Sequence, residues 1–150
     1  MVTTFDSREA SRDGLVALFV ADNSWQKVFK YQPTENEIDG QWPLLIINAV
    51  STFQEMQSLE KNPSVFTFIV TSFVPTTDNV AWETEEAADL TDTLDQTTRQ
   101  IIRNNASGGA FADAILFVPT PSNVSIVELH RVNYLAEMRL IEIHLSSGSM

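Results

Sequence analysis

The chain has 150 residues, a formal net charge of −11 and no cysteine. The lack of cysteine excludes disulfides, thiolate nucleophiles and Cys-ligated zinc or iron–sulfur sites. Twenty acidic residues against nine basic ones disfavour tight binding to nucleic acid, which needs cations that displace counterions from phosphate. No stretch approaches the ~20 apolar residues of a membrane-spanning helix, so the sequence predicts no membrane segment.

The first third of the chain predicts a helix and a buried strand. Asp6 and Glu9 have the spacing of a capping box, which starts a helix that fades near 21–23. A polar loop follows over 31–41. The short, apolar and β-branched run at 44–50 then predicts a buried strand.

The clearest strand is predicted over 65–74, where the residues alternate between two faces and Pro75 ends the run. A long helix follows, capped by Asp78 or Asn79 and ending near 104–105. Its apolar stripe should pack against the sheet.

Three further strands are predicted over 115–118, 124–132 and 134–145, and the last two should be joined by a tight turn near Asn133. The tail at 146–150 is expected to be loose. No repeat, low-complexity tract or linker divides the chain, so we expect a single domain.

The element order predicts an α+β fold. It consists of a single mixed or antiparallel sheet of about four to five strands, with two long helices packed on one face. Phe68, Leu90 and Leu94 are expected in the core between helix and sheet.

The helix after Pro75 is crowded with acidic residues, which raises the question of a metal or acid–base site. On a helical wheel one face is apolar, with Ala87, Leu90, Leu94 and Ile101. The opposite face is polar or charged, with Glu85, Asp89, Asp92, Gln96, Arg99 and Arg103. This pattern favours a solvated face. The alternative is a cluster of Glu85, Asp89 and Asp92 that binds a metal, but no EF-hand loop and no histidine accompany it.

Only two histidines occur, His130 and His144, both in predicted strands of the last hairpin. They could face each other across the strands, but no third metal ligand is evident. GxSxG, GxGxxG and P-loop patterns are absent. The sequence therefore predicts no catalytic, metal or cofactor site, and a protein that is not an enzyme.

Aromatic residues beside loops are the candidates for an interaction surface. Trp25, Trp42 and Trp82 lie at predicted element edges, and tryptophan is enriched at interface hot spots. The alternative for each is that it covers one end of the core. Phe111, beside the paired glycines of NNASGGAFA, is a candidate anchor that becomes ordered on assembly. Its alternative is to pack under its own sheet.

The chain resembles a known family in the order of its segments: a capped helix, then PLLIINAV, VFTFIVTSFV, the acidic helix ETEEAADLTDTLDQTTRQII and the final YLAEMRLIEIHL. This order is similar to that of the tail terminator (tail completion) proteins of tailed bacteriophages, the lambda-type minor tail family. The resemblance covers about residues 6–145 and rests on element order, hydrophobic pattern and length.

The resemblance implies a structural virion protein, made in the host cytoplasm, with no cofactor. Copies would form a ring, expected to be a hexamer, on the tail tube, stop tube polymerisation and join the tail to a head-completion or neck protein. DNA would pass through without tight binding, and Glu85, Asp89 and Asp92 are candidates for an acidic channel face.

Three alternatives stay open. The first is another phage neck or head-completion protein. The second is a non-viral adaptor domain. The third is a small hydrolase or metal enzyme that uses Asp89, Asp92 or the histidines.

Overall fold

A computed structural model of the chain describes residues 8–38, 42–54, 64–76, 85–106, 114–118 and 121–145. Three helices and six strands follow one another along the described chain. They are α1 (Arg8–Asp22), β1 (Lys27–Phe29), α2 (Glu35–Ile38), β2 (Leu44–Gln54), β3 (Ser64–Pro75), α3 (Glu85–Asn104), β4 (Ala114–Phe117), β5 (Asn123–Leu129) and β6 (Val132–Leu145). No helix among these residues is long and apolar enough to cross a membrane.

All six strands belong to one sheet in the order β1-β2-β3-β6, with β4 and β5 both paired to β6. β1 and β2 are parallel, and every other pair is antiparallel, so the sheet is mixed. Because β3 pairs with β6 along its length, β4 and β5 share the far edge of β6. β5 pairs with the first half of β6, and β4 pairs with residues 141–144 near the end of β6.

The α+β class and the single sheet with two long helices are confirmed, and the expected four to five strands are nearly right. The sixth strand is β1. Its three residues are too few to show an alternating pattern, so they could not be recognised from periodicity.

The short helix α2 lies inside the stretch predicted as a polar loop. It is held by a capping box: the Thr34 amide donates to Glu37 Oε1 at 2.9 Å, and the Glu37 amide donates to Thr34 Oγ1 at 3.3 Å. The signal, Thr-x-x-Glu, is present in the sequence. Ile38 is the residue that this helix buries.

The last hairpin turns at His130–Arg131 and not near Asn133. Leu129 pairs with Val132, which leaves a two-residue connection whose φ angles are 51° and 69°. Two positive φ values are the geometry of a type I′ turn, which matches the twist of the flanking strands. Asn133 is instead paired in β6. His130, expected in a strand, therefore belongs to the turn.

Both long helices pack on one face of the sheet. Leu15 and Phe19 of α1 and Leu94 of α3 meet buried residues of β3 and β6 such as Phe68 and Ile141. Phe68 and Leu94 are thus in the core as predicted, and Leu90 packs against it while partly buried. The proposed cap Asp6 lies outside the described residues. α1 ends at Asp22, where Asn23 takes a left-handed φ of 68°.

A second, smaller apolar cluster lies on the opposite face. It contains Phe29 of β1, Ile38 of α2, Phe73 of β3 and Tyr134 of β6. Phe73 and Tyr134 meet edge to face with their ring centroids 5.7 Å apart. The sheet is therefore covered on both faces near the α2 end.

Candidate interaction surface

A group of neighbouring exposed apolar residues lies on β5. Six of its seven residues are exposed, and they include Val124, Ile126 and Val127, of which Ile126 is 53% exposed. We call these three residues the β5 edge. A strand with apolar side chains and an open backbone edge is a template for pairing with another chain.

The side chains of the β5 edge point to both faces of the sheet. Residues directly opposite in a ladder share a face, and Val127 pairs with Tyr134 of the second cluster. Val127 therefore lies on the face away from the long helices. Val124 and Ile126 alternate with it and lie on the helix-bearing side, together with Glu128.

The hairpin that carries the β5 edge is fixed to the rest of the domain. At its tip, His130 Nε2 lies 3.0 Å from the backbone oxygen of Pro33, and Pro33 is fully buried. Near its base, the Ser122 hydroxyl donates to Glu137 Oε2 at 2.7 Å. The apolar edge is thus held in place and is not a loose arm.

The opposite end of the sheet carries a groove between α1 and β1. Its volume is about 450 Å³. The apolar wall comes from Val16, Ala17 and Val20 of α1 and from Val28 of β1. At one side Lys30 Nζ donates to Asp13 Oδ1 at 2.9 Å, and both side chains are about half exposed. We call this feature the α1–β1 groove.

A polar network joins α3 to the sheet beside the hairpin. Asp95 Oδ1 accepts from Arg139 Nε at 2.8 Å and lies 2.6 Å from Arg139 Nη2, while Asp95 Oδ2 is 3.1 Å from Arg99 Nε. Asp95 and Arg99 thus form an ion pair four residues apart on α3, and Arg139 joins it from β6. Arg139 also lies over the ring of Phe117, 5.3 Å from its centroid.

Glu137 borders this network on β6. Burial raises the pKa of its carboxyl group, the Ser122 hydroxyl lowers it, and the carboxylate of Asp95 raises it again. Asp95 and Glu137 thus interact with neighbouring side chains of α3, β6 and the segment before β5. No group of three or more His, Cys, Asp or Glu residues that could hold a metal ion occurs among the described residues.

The acidic helix has the orientation that its sequence predicts. Asp89 and Asp92 are exposed, as are Gln96, Arg99 and Arg103, while Ala87, Leu94 and Ile101 are buried. Glu85 is the first residue of α3, and its side chain lies outside the described part. The solvated-face interpretation of Asp89 and Asp92 is therefore confirmed. Their role as a channel face stays a prediction.

Of the aromatic anchor candidates, Trp25 is a core residue. It is 5% exposed, meets Phe19 edge to face with centroids 5.3 Å apart, and donates from Nε1 to Ser72 Oγ at 3.2 Å. For this residue the core alternative holds, because its ring fills the space between α1 and the sheet. The prediction that Trp25 is an interface anchor was therefore wrong.

Trp42 remains a surface candidate at 46% exposure. Trp82 and Phe111 lie outside the described residues, so their predicted roles as anchors stay predictions.

The two histidines bind different partners. His130 contacts Pro33 from the turn, whereas His144 Nε2 lies 3.1 Å from Glu142 Oε1 of its own strand. Neither contact resembles a shared metal site.

The β5 edge was not among the predicted site residues, although its sequence carries a signal. In NVSIVEL, apolar residues occupy both alternations, as in a strand covered on both faces. A short apolar strand of this kind is normally read as internal, so sequence reasoning assigned it to the sheet and not to the surface.

No family model and no curated protein matches this chain.

Proposed function

We propose that the protein is a structural assembly subunit, and specifically a phage tail terminator. Copies form a ring at the end of the tail tube, stop its polymerisation and present a surface for the head. The observation that carries the proposal is the β5 edge, an apolar and backbone-open strand that its own chain leaves uncovered among the described residues.

The chemistry of the described surface supports assembly more than catalysis. Charged side chains near the hairpin pair with each other, as Asp95 does with Arg139. The β5 edge, Val20 and Trp42 are instead large apolar side chains that are exposed. Apolar patches on a soluble surface are typical of protein–protein contact sites. The proposed action is therefore steric and templating.

The charge distribution supports a ring through which DNA passes. The chain carries a net charge of −11, and Asp89 and Asp92 form a solvated acidic stripe on α3. Like charge keeps DNA from adhering to a channel wall. These observations support α3 as the candidate channel face.

The test is electron microscopy of the purified protein alone and mixed with tail tubes assembled from the tube protein of the same virus. We expect closed rings of a fixed subunit number and tubes that carry one ring at an end and stop growing. Tubes that elongate equally with and without the protein would contradict the terminator function.

A matched control separates capping from non-specific coating. Ovalbumin, another acidic protein, added at the same concentration should leave tube lengths unchanged. Binding along the whole tube, without an effect on its length, would favour the adaptor alternative.

A further inference from the structure

We infer that the β5 edge binds an extended, basic segment of a partner protein, which adds to the sheet as a further strand. The segment carries apolar side chains opposite Val124 and Ile126 and a lysine or arginine opposite Glu128. This inference rests on the assembly role in the proposed function and specifies the chemistry of the protein on which the subunit docks.

The outer edge of β5 has backbone groups that are free to pair with another strand. Leu129 pairs with Val132 across a two-residue turn, and the two residues that flank such a turn exchange both backbone hydrogen bonds. Hydrogen-bonded and non-hydrogen-bonded pairs alternate along an antiparallel ladder. The amide and carbonyl groups of Val124, Ile126 and Glu128 therefore point away from β6, toward the position of an added strand.

The same three residues share one face of the sheet. Because Val124, Ile126 and Glu128 alternate along β5, their side chains all lie on the helix-bearing side, ~6.8 Å apart. Val124 is 49% exposed and Ile126 is 53% exposed, and Glu128 is exposed as well. A strand that pairs with this edge therefore meets two apolar side chains followed by one carboxylate.

The charged groups beside this stripe attract cations. Glu128 forms no ion pair among the described residues, although Arg131 lies in the adjacent turn. At the other end, Glu137 of β6 is opposite Val124. Burial raises the pKa of Glu137, and the carboxylate of Asp92 on α3 raises it further, so Asp92 lies near this end. A lysine or arginine of a partner is therefore favoured here, and an acidic side chain is repelled.

A second copy of this chain is a poorer occupant of the β5 edge. The other open edges of the described sheet are short or irregular: β1 has three residues, β4 has four, and β2 beyond β1 carries a bulge at Val50. Such edges resist strand addition. Two β5 strands paired about a two-fold axis would place Glu128 and Asp92 of both copies on the same side of the sheet, and each copy has a net charge of −11.

A synthetic peptide with a fluorescent label is the probe. In antiparallel addition, Ac-TKVVTVTK-NH2 places its first lysine opposite Glu128 and valines opposite Ile126 and Val124. Its second lysine falls opposite Ser122, which is bonded to Glu137. One control peptide, Ac-TEVVTVTK-NH2, reverses only the charge that faces Glu128. In a second control, the valine opposite Ile126 is N-methylated, which removes one backbone donor and keeps the charge.

Fluorescence anisotropy of the labelled peptides measures binding to the full chain up to about 1 mM, a weak limit for a specific contact. We expect the lysine peptide to bind the wild type about threefold more tightly than the glutamate peptide, since an exposed ion pair is weak. Glu128→Lys should invert this order. N-methylation should weaken binding about tenfold.

Two further variants test the apolar part of the edge. Ile126→Asp should weaken binding of the lysine peptide at least about tenfold. Val50→Asp, at 50% exposure on β2, is the matched control and should bind like the wild type. Both substituted residues are exposed, so both variants should keep the wild-type circular dichroism spectrum and melting temperature.

The outcomes separate this contact from the terminator function. Peptide binding without tube capping supports the contact and overturns the terminator function. Tube capping without binding of the lysine peptide, or equal binding of all three peptides, overturns the contact and leaves the terminator function standing. Sedimentation velocity tests the other occupant: self-association that Ile126→Asp abolishes and Val50→Asp preserves would place a second copy on the β5 edge and overturn the inference.

Discussion

β3 and β5 both pair with β6, yet they occupy opposite environments. β3 is buried along most of its length, between the long helices on one face and the second apolar cluster on the other. β5 has apolar residues on both alternations as well, but six of its seven residues are exposed. The comparison teaches that the same pattern of apolar residues is buried in the core in β3 and exposed in β5, where we propose that it serves a contact with another chain.

The largest expected effect contrasts the two regions directly. Leu94→Ala removes a side chain that is almost fully buried under β3 and β6, so the free energy of unfolding should fall by about 2–5 kcal/mol. Ile126→Ala, on the β5 edge, should change that free energy by less than about 0.5 kcal/mol. Urea denaturation at a concentration where the protein is monomeric measures both.

Equal losses in the two variants would break the comparison, because they would show that β5 is covered by its own chain. If Leu94→Ala lowers the free energy of unfolding by less than about 0.5 kcal/mol, the packed face of α3 has been assigned incorrectly.

The next effect compares two acids on the same helix. Asp95→Asn weakens the bonds to Arg139 and Arg99 and should cost about 1–2 kcal/mol. This lies at or below the usual range for hydrogen bonds to charged groups, because both arginines retain solvent contact. Asp89→Asn, exposed on the other face, is the matched control and should be neutral. Thermal unfolding of both variants at pH 7 measures the difference. Identical melting temperatures would show that the Asp95 network does not contribute to the stability of the domain.

A smaller effect concerns Glu137, which lies where the hairpin joins the body of the sheet. Burial raises its pKa in the folded protein, so the folded state binds the proton more tightly than the unfolded state. The stabilising contribution is full below the ordinary value of 4.5 and is lost as the pH rises through the folded pKa. Glu137→Gln should therefore be more stable than the wild type at pH 7.

The advantage of Glu137→Gln should shrink as the pH falls toward 4.5. Urea midpoints of both proteins between pH 4 and pH 8 check this trend. An advantage that does not vary with pH would mean that the substitution acts through packing.

The smallest effect is expected on the acid stripe. Changing Asp89 and Asp92 together to Asn should leave stability unchanged or raise it by a few tenths of a kcal/mol, because it relieves like-charge repulsion on the helix. EDTA should leave the melting temperature of the wild type unchanged. A fall on adding the chelator would reveal a bound metal and reopen the alternative of a metal enzyme.

Long periodic elements were predictable from the sequence because burial repeats along them. The apolar face of α3 and the alternation in β3 place Leu94 and Phe68 in the core by periodicity alone. β1 and α2 are too short to repeat, and only the capping box of Thr34 and Glu37 marks α2. The turn at His130–Arg131 lacks the Asn-Gly or Asp-Gly signal of a type I′ turn, so Asn133 drew the prediction away from it.

The candidate site was less predictable, because exposure depends on tertiary packing that no local pattern records. Trp25 lies beside a loop in the sequence, yet its ring fills the space under α1 and its nitrogen reaches Ser72, 47 positions away. Ile126 has the sequence neighbours of an internal strand, and only the sheet order shows that nothing described lies beyond it.

The hairpin's position on β6 also has a mechanical consequence. β3 pairs with β6 along twelve residues, whereas β5 pairs with β6 along seven. Six of the seven residues of β5 are exposed. A tensile load entering through β5 therefore meets its weakest attachment at the hairpin. We expect such a load to separate β5 from β6 first, while the core between the long helices and β3 stays folded.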